Sequence, residues 1–159
     1  MIGITIIAVG KIKEKYFTDA LNEYTKRLSR FGKINIIEVP DEKIPDNASE
    51  KECAEILEKE GAKILAKIPD NAYVTAMCIE GKPVSSEELA KKIADISMTR
   101  SHIAFVIGGS LGLADAVKSR ADARISFGKI TLPHQLMRVV LAEQIYRAFK
   151  INNNESYHK

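Results

Sequence analysis

Arg138 demands a chemical explanation before any other residue. On a helical wheel at about 100° per residue, Glu143, Arg147 and Lys150 fall about 140°, 180° and 120° from it. Those three make an ordinary polar stripe. Ala142, Ile145 and Phe149 instead fall within about 40° of Arg138, and His134 lies one turn before it. A guanidinium on an apolar face needs a partner or an anion, because burying it alone is costly. It can be a core ion pair, an interface residue or a substrate clamp. Glu143 and Arg147, at i and i+4, are most simply a surface pair.

Three glycine-bearing segments offer a second chemistry: Glu80-Gly81-Lys82-Pro83, Gly108-Gly109-Ser110-Leu111-Gly112 and Phe127-Gly128-Lys129-Ile130-Thr131-Leu132-Pro133-His134. Each follows an apolar run that reads as a strand. Glycine lets the backbone turn sharply and lets a ligand approach main-chain amides. Any one of them alone is a tight turn. Three at the carboxyl ends of strands, where ligands bind in open α/β sheets, favour a shared pocket. A dinucleotide fingerprint would need glycine at 107, which is Ile107. A phosphate loop would need it at 123 or 76, which are Ala123 and Ala76. Metalloprotease, serine-hydrolase and paired-cysteine zinc patterns are absent as well. The expectation is a pocket built largely of backbone, suited to a neutral or mixed-charge cofactor, with no metal. The tail 155–159 adds an aromatic, an imidazole and a cation. It reads either as a frayed terminus or as a base-stacking Tyr157 beside a phosphate-facing Lys159.

The elements that would position these residues alternate along the chain. Residues 2–9 form a nearly continuous apolar run, as in a strand buried on both faces. Phe17, Leu21, Tyr24, Leu28 and Phe31 mark one face of a helix. Strands are predicted over 33–39, 73–79, 102–107 and 124–127. Capping boxes at Ser49/Glu52 and Ser85/Glu88 open two helices, the first continuing through Gly61 to about 67. A short helix covers 113–120. The last runs from Pro133, placed in its first turn, to about 151, and 152–159 is a polar tail. This pattern predicts an α/β fold with a largely parallel sheet and helices on both faces.

The chain has 159 residues, 45% hydrophobic and 28% charged, which suits one globular domain over 1–159. Disordered, collagenous and disulfide-scaffold classes are excluded. No apolar run reaches the ~18 residues of a membrane span. The start is apolar first and basic afterwards, the reverse of a secretory signal. Cys53 and Cys78 read as buried thiols in a reducing compartment. Net charge is +3, unevenly spread. Residues 1–33 hold seven bases and three acids, 118–159 hold eight bases and three acids, and the middle is acidic. Basic ends that met in space would suit a polyanion.

The sequence resembles the ribosomal RNA large subunit methyltransferase H family of the SPOUT superfamily over essentially its whole length. The blocks that carry the likeness are Ala8-Val9-Gly10-Lys11, Ile37-Glu38-Val39-Pro40, Gly81-Lys82, Ile107-Gly108-Gly109-Ser110 with Gly112, and Leu132-Pro133-His134-Gln135. Arg138-Val139, Glu143-Gln144, Tyr146-Arg147-Ala148 and Tyr157-His158-Lys159 complete it. The resemblance implies methyl transfer from S-adenosylmethionine to N3 of a pseudouridine in 23S rRNA of the assembled 70S ribosome, in the cytoplasm. It implies a homodimer and a deep C-terminal trefoil knot, with the cofactor-binding part over about 70–151. By family position the adenosyl pocket maps to Met77, Gly108 and the loop Phe127, Gly128, Lys129, Ile130, Thr131 and Leu132. Leu111 stands where many relatives carry a polar residue. His158, or a water it holds, is then expected to take the N3 proton, with Arg138 stabilising or orienting the anion and Tyr157 stacking on the base. The tail is expected to serve its own pocket or to reach the partner subunit's, in which case one site draws on two chains. Lys11, Lys13, Arg147 and Lys159 are the expected phosphate contacts. Two other readings compete: a non-catalytic ribosome-binding or assembly module, which would not need the three glycine turns, and a hydrolase using Glu143 and His134, which lacks a nucleophile.

Overall fold

A computed structural model describes residues 1–159. Its elements are β1 (Ile2–Val9), α1 (Lys15–Leu28), β2 (Gly32–Val39), α2 (Glu50–Lys67), β3 (Tyr73–Pro83), α3 (Ser86–Ser97), β4 (His102–Ile107), α4 (Asp115–Arg120), β5 (Ala123–Ser126) and α5 (His134–Asn152). They form one five-stranded sheet in the order β2-β1-β4-β3-β5, with every pairing parallel. Alternate side chains of β1 serve opposite cores, as the two-residue period of a strand requires. Ile4, Ile6 and Ala8 pack with α1, α3 and α5, while Ile7 and Val9 pack with α2 and α4. Every β1 residue is buried, which explains the continuous apolar run.

Both capping boxes form, with the serine hydroxyl accepting the N3 amide and the glutamate reaching back. Gly61 has a packing reason to interrupt α2. A Cβ there would stand 2.8 Å from the Ala114 Cβ, so glycine lets α2 close on the start of α4. That contact offsets the helix-propensity cost of about 1 kcal/mol.

Several boundaries differ from expectation. β3 continues to Pro83 through an irregularity: Met77 pairs with Ile125, and after four looped-out residues Lys82 pairs with Ile125 again. Gly81 is needed there because a Cβ would lie 2.7 Å from the Ile125 backbone. Helix α4 starts at Asp115, and Phe127 falls beyond β5. Pro133 is the N-cap of α5 rather than part of its first turn. Cys53 and Cys78 are half-buried, not buried. The tail is not frayed: Glu155 pairs with Lys150 at 2.6 Å and with Arg30 at 2.9 Å. After β5, at one sheet edge, the chain crosses back over the carboxyl ends of the strands. Helix α5 begins beside Val9 and Gly10 of the β1 end and then packs on α1 and α3. No helix is long and apolar enough to cross a membrane.

Candidate active site

Two of the three glycine-bearing segments meet over the carboxyl edge of the sheet, and the first contributes only Glu80. Residues from 77–80, 107–113 and 125–134, with Lys118 of α4 and Met137 of α5, enclose a cavity of about 560 Å³. Met77, Gly108, Phe127, Gly128, Ile130, Thr131 and Leu132 all line it; Lys129 is exposed in the same loop and does not. Gly108 is held so close to the Gly112 carbonyl that a Cβ would collide with it. Gly112 itself has φ +84° and Gly128 φ +119°, conformations that favour glycine. The Ser126 hydroxyl closes the second turn, accepting from the Gly128 amide and donating to the Gly128 carbonyl, both at 3.1 Å.

Beneath this edge lies Arg138, with no exposed surface. Its Nη1 donates to Glu38 Oε2 at 2.8 Å, and its Nη2 donates to the carbonyls of Val9 and Gly10 at 3.0 and 2.9 Å. Nε has no partner. Burial pulls the guanidinium pKa down and the Glu38 bond pulls it back up. Arg138 does not line the cavity. Of its three sequence readings, this geometry is the core ion pair. It also touches the site through His134, which does line the cavity. Arg138 Nη2, with both hydrogens committed to the Val9 and Gly10 carbonyls, lies 3.5 Å from His134 Nδ1. Burial, and then the Arg138 charge, hold the His134 pKa below its usual value, so the ring is neutral.

Glu38 serves a second bond. Its Oε2 accepts the Ile12 amide at 2.8 Å, and the Lys13 amide donates to Gln135 Oε1 at 3.2 Å. The loop after β1 is thereby fixed against the start of α5. Lys11 and Lys13 are exposed and free of ion pairs, in a loop tied through the Lys13 amide to Gln135, the neighbour of His134.

The tail forms a separate cluster. Tyr157 meets Tyr146 edge-on, with centroids 5.0 Å apart, and donates to Glu143 Oε1 at 3.0 Å. Arg147 donates to Glu143 at 2.7 Å and lies 4.7 Å from the Tyr157 ring centre. It also donates to His158 Nδ1 at 3.2 Å, which leaves His158 Nε2–H to donate to Glu87 Oε1 at 2.6 Å. Burial, then the Glu143 bond, push the Tyr157 hydroxyl up to about 12. The Glu143 bond raises Arg147, and the His158 bond holds Glu87 below the ordinary carboxylate value. Arg147 is therefore an anchor for the tail, not the free surface cation expected of a phosphate contact. Lys159 is exposed and unpaired. The structure brings Tyr157, His158 and Arg147 together but not with Arg138, and none of these four lines the cavity.

Sequence reasoning missed Ser126, Met137 and the ion pair of Lys118 with Glu80 at 2.5 Å, all on the cavity wall. Ser126 was legible as the hydroxyl two before Gly128. The ion pair was not, because it forms only when β3 loops out and α4 packs beside it.

The family described as "Predicted SPOUT methyltransferase" matches residues 2–158. The Ribosomal RNA large subunit methyltransferase H of Clostridium novyi (strain NT) is 60% identical over 158 residues, covering 99% of both chains. The protein of that name from Listeria monocytogenes serovar 1/2a is 56% identical with the same coverage. Among solved structures, a "probable methylase family protein" from Haemophilus influenzae Rd KW20 shares the fold. Its TM-score is 0.52 at 14% identity, over 99% of this chain and 70% of the other.

Proposed function

This chain belongs to the SPOUT methyltransferases, and among them to the ribosomal RNA large subunit methyltransferase H family, and from that premise we propose that it methylates N3 of a pseudouridine in 23S rRNA. Its methyl donor is S-adenosylmethionine and its substrate the assembled 70S ribosome, in the cytoplasm. The observation that carries the reading is that seven of the eight positions expected to hold the adenosyl group line one cavity. The cavity suits that group. Its volume is in the range for small-molecule sites, its walls are mostly apolar or main chain, and left-handed Gly128 and Gly112 let the backbone bend around it. When bound, the donor supplies an electrophilic methyl on a sulfonium.

The chain's own residues hold nucleophile, methyl carbon and leaving sulfur in line and manage the N3 proton. His134, its pKa held low by burial, stands at the cavity wall within reach of a bound group. Arg138 is a positioning residue: it ties the β1 end and Glu38 to α5, rather than touching the developing anion. His158, or a water it holds, takes the N3 proton, and Tyr157 stacks on the base. In the docked tail both His158 nitrogens are occupied, so this role requires the tail to leave Glu87 and reach the partner subunit's pocket in a homodimer. The deep trefoil knot belongs to the same reading, and the return of the chain from β5 across the sheet edge to α5 supports it. Lys11, Lys13 and Lys159 are the phosphate contacts. A non-catalytic ribosome-binding module would have no use for the cavity.

The test is methyl transfer from labelled S-adenosylmethionine to purified 70S ribosomes lacking the modification, with the product nucleoside identified. Labelled N3-methylpseudouridine is the expected product. Label in another nucleoside, or none, would overturn the substrate assignment.

A further inference from the structure

Glu80 and Lys118 bear the only full charges among the residues lining the cavity, and they face each other across 2.5 Å. They reach it from separate elements. Glu80 lies in the looped-out segment of β3, and Lys118 projects from α4. Helix α4 packs on one face of the sheet, whereas His134 and Met137 belong to α5 on the other. The cavity therefore has a charged end at α4 and an uncharged end at α5.

A methyl donor of the adenosyl-sulfonium class has a matching asymmetry. Its nucleoside end is flat and neutral, and its amino-acid end carries a carboxylate and an ammonium. We propose that Lys118 binds that carboxylate and Glu80 that ammonium, so that the pair selects the intact donor over nucleosides without the amino-acid end. The inference rests on the donor reading above and assigns two residues which that reading leaves without a role. Binding exchanges one ion pair for two, each with a charge-assisted hydrogen bond. The lysine is the better-buried partner, with a side chain 22% exposed against 54% for the glutamate. Solvent therefore screens the Lys118–carboxylate contact less, and it should dominate. Each group also keeps the other charged: the bond between them lowers the Glu80 pKa and raises that of Lys118.

The experiment titrates the full chain with two probes that share the adenosyl thioether, S-adenosylhomocysteine and 5′-methylthioadenosine. Only the first has the amino-acid end. Wild type should bind it at least about tenfold more tightly, the scale of one hydrogen bond to a charged group. Lys118→Met should erase about tenfold of that preference, and Glu80→Gln a smaller part. Unchanged affinity for 5′-methylthioadenosine in both variants shows that the pocket is intact. A preference that survives both substitutions, or equal losses for both probes, overturns the proposal. So does a wild type that binds the two probes alike, although the donor site then stands. Failure of wild type to bind either probe overturns the donor reading and this inference with it.

Discussion

Arg138 and Arg147 lie on the same helix, and each is held by a glutamate at nearly the same distance, 2.8 and 2.7 Å. Their surroundings separate them. Arg138 has no exposed surface, and its partner comes from β2, on the far side of β1. Arg147 is 24% exposed and pairs with Glu143 one turn away. The first pair closes the sheet edge: without it the Val9 and Gly10 carbonyls and the loop of Lys11 and Lys13 lose their anchor. The second pair gathers the tail, since Tyr157 and His158 reach it through their side chains. A buried pair is costly to break because its remnant cannot return to water. A pair whose cation keeps some contact with water is less costly to rearrange. The N-terminal half of α5 thus anchors the cavity edge, and the C-terminal half docks the tail.

The sharpest way to break this contrast is Arg138→Met. It strands two buried carbonyls and a partly exposed carboxylate, and should cost about 3 kcal/mol, read as a lower urea midpoint. A loss under about 1 kcal/mol would place Arg138 in the same class as a surface pair. Next in size, Arg147→Ala should cost about 1 kcal/mol while leaving donor affinity unchanged; a loss as large as that of Arg138→Met would erase the distinction.

The tail contact has its own pH signature. Because the folded Tyr157 pKa is raised to about 12, its contribution to stability is present below the unfolded value of about 10 and is lost as pH rises toward 12. Glu143→Gln should bring the Tyr157 midpoint in a tyrosinate absorbance titration below the wild-type value. It should remain above 10, since burial is the larger cause. An unmoved midpoint would mean that Tyr157 does not rest on Glu143. Least visible in stability, the double variant Lys11→Ala/Lys13→Ala should unfold like wild type. Its ribosome affinity should be weaker, and the slope of log affinity against log salt smaller by about 2. Equal losses of ribosome and donor binding would show damage to the loop instead.

The sheet was legible because β1 and β4 are apolar but for Thr5 and His102, and capping boxes mark where α2 and α3 begin. The cavity edge was legible from its glycines: Gly108, Gly112 and Gly128 mark backbone that must bend, and they sit at or just past strand ends. The partner of Arg138 was not, because Glu38 becomes its neighbour only through the order of strands. Nor was the dock of the tail. Glu87, Glu143 and Arg147 look in the sequence like ordinary solvated helix positions, and only the packing of α3 against α5 brings all three to His158 and Tyr157.

The most direct test of a cavity served by a separately docked tail is truncation after Ser156. Donor affinity and single-turnover methyl transfer to ribosomes would be measured on the same preparation. The account predicts unchanged donor affinity with transfer abolished. Intact transfer, or donor affinity falling in step with it, would contradict the division between the two halves of α5.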